Sequence, residues 1–153
     1  MAETATIHAG CVLIGEKAVL ITGSSGAGKS SLARELLAAA RQRGRFGRLV
    51  SDDRTRLEAR HGRLIARPVE AISGLIEVRG LGLVASEHEA AGVVGLLVEL
   101  WADEPPRLPE ASQASVTLCG VVIPRIYGRR GAPIGEVVLG RLGEYDDAAV
   151  TRG

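Results

Sequence analysis

Aromatic residues are scarce in this chain, at 3% of 153 residues, and lysine occurs only at Lys17 and Lys29. A core therefore has to be assembled from Leu, Val, Ile and Ala, which the hydrophobic fraction of 46% supplies. Only two cysteines are present, Cys11 and Cys119. Each falls in an apolar, strand-like run, which suits a small buried residue in a reducing, cytoplasmic compartment better than a disulfide frame or a metal site. No run approaches 18 apolar residues, so no membrane span is expected. The first ten residues carry no charged-then-apolar leader. The net charge of +1 offers no global electrostatic case for nucleic acid or membrane as a partner. Arginine carries most of the positive charge, a preference that a genomic base bias explains as readily as a function. No internal repeat or linker interrupts the chain, and its length suits one compact domain, residues 1–153.

Against these absences stands one dense motif. Gly23-Ser24-Ser25-Gly26-Ala27-Gly28-Lys29-Ser30 fits G-x-x-x-x-G-K-S/T, the phosphate-binding P-loop. Its context is the one the motif needs. Ala18–Thr22 reads as a buried strand before it, and Ser31–Arg43 as a helix after it, with Leu32, Leu36, Leu37 and Ala40 at helical spacing. Glycines let the backbone curl so that its N–H groups face nucleotide phosphates, and the helix that follows, starting at Ser31, adds its positive end. Lys29 can reach the β- and γ-phosphates, and the Ser30 hydroxyl can coordinate Mg²⁺. The bland reading is a glycine-rich strand-to-helix turn that binds another phosphate or none.

Elsewhere strands dominate. Cys11–Ile14 and Lys17–Thr22 flank Gly15-Glu16 as a tight hairpin, and Arg56–Arg60 and Arg63–Arg67 flank His61-Gly62 as a second. Arg48–Ser51 is a short strand ending in Asp52-Asp53. Leu75–Val78 and Ser115–Ile123 are further strands, and Val93–Leu100 reads as a central buried strand. Glu104–Pro109 is a loop, and beyond Pro124 the chain is rich in Gly and Arg with no clear pattern. Because the first helix is followed mainly by strands and not by strand–helix alternation, the expected fold is α/β: a P-loop kinase core with a small mixed sheet and the P-loop helix packed on one face.

Asp52-Asp53 ends a strand that would lie beside the P-loop strand. A carboxylate there can hold Mg²⁺, directly or through water, or accept a proton from an attacking hydroxyl. Adjacent strand residues point to opposite faces, so one of the two is expected to do so. Adjacent aspartates also commonly cap loops. Glu99 is a rival carboxylate, or a strand-end residue facing solvent.

The order of these motifs, together with Ile7-His8 upstream and Glu77-Val78-Arg79-Gly80-Leu81-Gly82 downstream, resembles the C-terminal catalytic domain of bacterial HPr kinase/phosphorylase. The resemblance covers about residues 7–127. It implies that Gly23–Ser31 hold ATP, that Lys29 stabilises its phosphates, and that Ser30 and Glu77 are associated with Mg²⁺. One of Asp52 and Asp53 would be the base for a target seryl hydroxyl and the acid in the reverse phosphorolysis. His8, Arg79 and Arg107 would complete the site. The partner implied is an HPr-like phosphocarrier. The family is hexameric, so the resemblance makes a homo-oligomer an open expectation here. His61 and His88 match nothing in the family and read as structural. In three respects the chain departs from the family. It begins close to the site histidine, so the family's N-terminal domain is expected to be absent. Pro124–Gly131 matches poorly the Pro- and Gly-rich loop tied to dephosphorylation, and an end at Gly153 leaves little room for the helices that grip the partner. Kinase activity is thus better supported than phosphorolysis, as in short forms from bacteria whose phosphotransfer system is regulatory. Two other classes stay open. A small-molecule P-loop kinase would need a lid, and no helical lid segment lies between Asp53 and Gly74. A nucleotide-dependent regulatory module would not need the base, lysine and metal ligands that are present.

Overall fold

The computed structural model describes residues 3–69, 75–78, 82–85, 88–105 and 114–151. In chain order the elements are β1 (Thr4–His8), β2 (Gly10–Ile14), β3 (Lys17–Gly23), α1 (Lys29–Gln42), β4 (Gly47–Ser51), β5 (Arg54–Arg60), β6 (Arg63–Pro68), β7 (Leu75–Val78), β8 (Gly82–Ala85), β9 (Gly92–Trp101), β10 (Ser115–Leu118), β11 (Val121–Arg129) and α2 (Ile134–Thr151). Nine strands share one mixed sheet, ordered β1-β5-β6-β9-β3-β2-β4, with β11 joined to β9 and β10 to β11; β7 and β8 form a separate pair. The expected mixed α/β architecture is therefore found.

Period-two alternation along β2 and β3 decides the packing, because successive side chains enter opposite faces of the sheet. Val12, Ile14, Val19 and Ile21 face α1 and α2, where they meet Leu32, Leu36, Val138 and Leu139. Cys11, Ala18 and Leu20 face the other way and meet Leu57, Leu64 and Ala66 of β5 and β6. The sheet curls back over itself on that side, so β3 is covered on both faces. Such double burial explains why it reads as a continuous apolar run. Neither cluster contains an aromatic side chain, as the composition requires.

Two hairpins form as expected. Gly15 bridges β2 to β3 with φ 62°, and His61 and Gly62 both have positive φ, 51° and 77°, the geometry of a type I′ turn. β9 is indeed central, parallel to β3 on one side and to β11 on the other, and antiparallel to β6 at its start.

Other expectations fail. The chain beyond Pro124 is ordered: the β10–β11 hairpin turns at Cys119-Gly120, β11 runs on through Pro124 to Arg129, and an 18-residue helix, α2, follows. Periodicity missed α2 because its glycines and short side chains blur the apolar stripe. Its buried Val138, Leu139 and Leu142 complete the core over α1, and an Arg43–Glu136 ion pair ties the two helices. Strand β1 has no signature in the sequence, since its side chains are mostly exposed and carry no alternating apolar signal. Cys119 lies in the hairpin turn, half-buried, and not within a strand.

Burial pushes the Cys11 thiol up to about 12, and burial followed by the Glu3 carboxylate raises that of Cys119. The thiolate is the reactive form. A disulfide-exchange reagent at pH 8 should therefore modify Cys119 in the native protein and reach Cys11 only after denaturation. Equal rates at both thiols under native conditions would contradict the packing of β2.

Candidate functional site

The carboxyl-terminal ends of parallel strands in an α/β sheet are where ligands collect, because loops diverge there and helix N-termini point into the gap. In this fold β3, β9 and β11 are mutually parallel neighbours, and β4 runs in the same sense two strands away across β2. Their carboxyl ends are Gly23, Trp101, Arg129 and Ser51. All the described site residues except Glu77 gather at this edge.

The P-loop itself connects β3 to α1. A turn closes inside it, with Ala27 N–H donating to the Ser24 carbonyl at 3.0 Å. Gly28 caps α1 in the left-handed region, φ 100°, which a side chain would strain. A Cβ at Gly23 would come within 2.8 Å of the Leu100 carbonyl oxygen, so only glycine lets β3 turn out of the sheet there. No side chain caps the start of α1 and its first turn holds no acid. That leaves its N–H groups and its positive end directed at the loop. Lys29 lies back across the loop, its Nζ donating to the Gly23 carbonyl at 2.8 Å and the Ser24 carbonyl at 3.4 Å. Ser30 and Ser31 are exposed at the mouth of the loop.

Asp52 and Asp53 sit in the bend between β4 and β5, both exposed. The strand alternation expected to point one of them at the site does not operate here: neither is in a strand, so the pleat does not separate them. The bend is anchored from beneath. Ser51 and Thr55, at its two ends, are buried and share a hydrogen bond, and Thr55 Oγ1 donates to the Ala9 carbonyl at 2.8 Å. Ala9 lies between His8 and Gly10, and a Cβ on Gly10 would stand 3.1 Å from the Asp52 carbonyl oxygen. His8 ends β1 directly opposite Arg54 of β5. The segment bearing His8 and the Asp52-Asp53 bend are thus held against each other at the P-loop edge.

On the far side of the loop, Glu99 of β9 stands opposite Thr22 and accepts a hydrogen bond from Trp101 Nε1 at 3.0 Å. It is partly buried and lines, with Thr22, Gly23 and Asp103, a cleft of about 450 Å³. The larger cavity, about 540 Å³, lies at the opposite edge beside Glu16, Lys17 and Gly62, remote from the P-loop.

The described site is a partial one. Glu77 is placed only as a β7 residue paired with Leu83 of β8. Arg79 and Arg107 lie outside the described residues. His61 occupies a turn, and His88 forms a bridge to Leu49. Sequence reasoning missed Arg130, which follows β11 and donates from Nη1 to the Gly26 carbonyl at 2.8 Å. The one available signal was the pair Arg129-Arg130 in a glycine-rich stretch, set aside there as a poor motif match. It also missed the Ser51–Thr55 hydroxyl pair that brackets the aspartates.

Oxygen ligands prevail here, suiting Mg²⁺ over a soft-ligand metal. Among the described residues no three His, Cys, Asp or Glu side chains group as a metal cage. Among them also, no helix is long and apolar enough to cross a membrane.

Comparison with known proteins points the same way. The profile of the HPr Serine kinase C-terminal domain matches residues 1–90. An HPr kinase/phosphorylase of Halalkalibacterium halodurans is 42% identical over 85 residues, 55% of this chain. The match spans 26% of that relative's length. In three dimensions the chain is similar to the Hpr(Ser) kinase/phosphatase from Coxiella burnetii, with a TM-score of 0.69 and 22% identity, over 96% of this chain and 98% of that one. At that identity the structural likeness bears on the fold.

Proposed function

Since this chain belongs to the family of HPr Serine kinase C-terminal domains, we propose that it is an ATP-dependent protein kinase that phosphorylates a seryl hydroxyl on an HPr-like phosphocarrier in the cytoplasm. The observation that carries this reading is the shared edge: the P-loop and its lysine follow β3, two exposed aspartates follow β4 on the far side of β2, and a histidine ends β1 beside them. The described residues are read as one catalytic unit.

The chemistry follows from charge. In phosphoryl transfer the seryl Oγ–P bond forms while the bond from the γ-phosphorus to the bridging oxygen breaks, and the electron pair leaves on ADP. Protein groups contribute mainly positioning and compensation of charge. The loop amides and the N-terminus of α1 hold the β- and γ-phosphates. Lys29 exchanges its carbonyl partners for phosphate oxygens, a rotation its four-carbon stem allows. One carboxylate of Asp52-Asp53 orients the seryl hydroxyl and accepts its proton; His8, held beside the bend, orients the acceptor or that carboxylate. Ser30, with Glu77 as the second candidate ligand, would hold Mg²⁺, which neutralises developing phosphate charge when bound. In the reverse direction the same carboxylate protonates the seryl oxygen as phosphate attacks.

The test is incubation of the protein with γ-labelled ATP, Mg²⁺ and the HPr-like protein of the same organism. Label should appear on the carrier, vanish on chelation with EDTA and return with Mg²⁺. Transfer that persists under thorough chelation would exclude the assigned metal role. Label on no protein at all would move the reading to a small-molecule acceptor.

A further inference from the structure

The end of β11 and the turn that follows it carry two adjacent arginines with different fates. Arg129 pairs with Glu104, Nη1 to Oε2 at 3.1 Å. Arg130 has no carboxylate partner among the described residues. Its backbone N–H donates to the Trp101 carbonyl at 2.9 Å, pinning the residue to the end of β9. Its side chain then runs over the P-loop: Cγ would lie 3.6 Å from a Cβ on Gly28, and Nη1 donates to the Gly26 carbonyl at 2.8 Å. A cavity of about 460 Å³ opens beside it, bounded by Ser31, Glu35 and Ile134.

A guanidinium carries five N–H donors in a planar fork and a permanent charge. One main-chain carbonyl uses a single donor and offers no opposing charge. A phosphate group offers two charged oxygens at the spacing of the fork and is the stronger partner. The Gly26 carbonyl belongs to the loop that curls around the phosphates, so a modest side-chain rotation moves the fork from carbonyl to ligand. Lys29 rests in the same way, on the carbonyls of Gly23 and Ser24. Two cations are thus held on carbonyls of one phosphate-binding loop, one from within it and one from β11.

We propose that Arg130 is a phosphate-binding catalytic residue of the donor site, which turns from the Gly26 carbonyl onto the terminal phosphates of the nucleotide and compensates the charge of the transferring group. The proposal rests on the ATP-dependent reading above. It gives the turn after β11 a direct part in the reaction.

The decisive variant is Arg130→Gln, which keeps a polar side chain over the loop but removes the charge and the guanidinium fork. Binding of AMP, ADP and ATP can be followed through Trp101, the single tryptophan, whose carbonyl accepts the Arg130 N–H. The expected result is a loss of about 10²-fold or more in kcat, the scale for removing a positioned charge-stabilising donor. Affinity for ADP and ATP should fall by about tenfold, one charge-assisted contact, with AMP affinity and the ligand-free melting temperature unchanged. Arg130→Lys should recover part of kcat. Unchanged kcat in Arg130→Gln, or an equal loss for AMP and ATP, would overturn the proposal and leave the kinase reading standing. A wild-type protein that neither binds ATP nor transfers its phosphate would overturn both.

Discussion

Lys29→Ala is expected to leave a folded protein that transfers phosphate at least about 10²–10³-fold more slowly, the cost of removing one preorganised charge from a developing anion. The fold should survive because Lys29 belongs to neither hydrophobic cluster; among the described residues its Nζ donates to the carbonyls of Gly23 and Ser24. The loop's shape is set by its glycine conformations and by the Ala27–Ser24 hydrogen bond, which the substitution leaves in place. ATP should still raise the melting temperature, since any ligand selective for the native state does so, but by less than in the wild type. Labelled transfer and a thermal shift with and without Mg²⁺-ATP measure the two effects together. A variant as active as the wild type would remove Gly23–Ser31 from the site.

Asp52→Asn and Asp53→Asn carry the second large effect. A seryl hydroxyl is barely ionised at neutral pH, so its proton has to leave as the new bond forms. One of the two variants should lose about 10²-fold or more in transfer, the scale of general-base removal. ATP binding should persist in both, because the loop amides and Lys29 are untouched. Both side chains are exposed in one bend, so the weaker effect need not be zero: the second carboxylate can assist a cation or the acceptor. The product on the carrier should be acid-stable, as a phosphoserine is. An acid-labile phosphoryl group would point to a histidine acceptor and count against the assigned base.

The two substitutions differ in how far the sequence foretold their setting. The position of Lys29 at the end of the loop was legible because a P-loop is local: eight consecutive residues, a strand before and a helix after, carry the geometry. The hairpins at Gly15-Glu16 and His61-Gly62 were legible for the same reason, since a short turn between apolar runs is set by a few residues. The placement of β9 at the centre of the sheet also followed from an unbroken apolar stretch, which only two-sided burial accounts for.

Asp52-Asp53 was harder. The preceding strand and its end at Ser51 were legible, but the bend that carries the two aspartates was not, because strand alternation stops where the strand does. What holds that bend is a contact between Thr55 and the carbonyl of Ala9, 46 residues apart. No local pattern encodes such a contact. Arg130 lies further still from legibility, 104 residues beyond the Gly26 carbonyl it reaches. Its neighbours show no periodicity, and α2 after it has too many glycines and short side chains to display a clear stripe.

The glycine-rich loop, the helix behind it, the aliphatic character of the core and the family resemblance could all be read along the chain, because each is written in composition or in the spacing of nearby residues. Which carboxylates, cations and hydroxyls come to the loop's edge of the sheet depends on long-range pairing. Parallel pairing of β3, β9 and β11, with β4 running alongside, brings the ends of distant segments to one edge. The pairing is selected by burying both faces of β3, not by any preference of the residues that end up in the site.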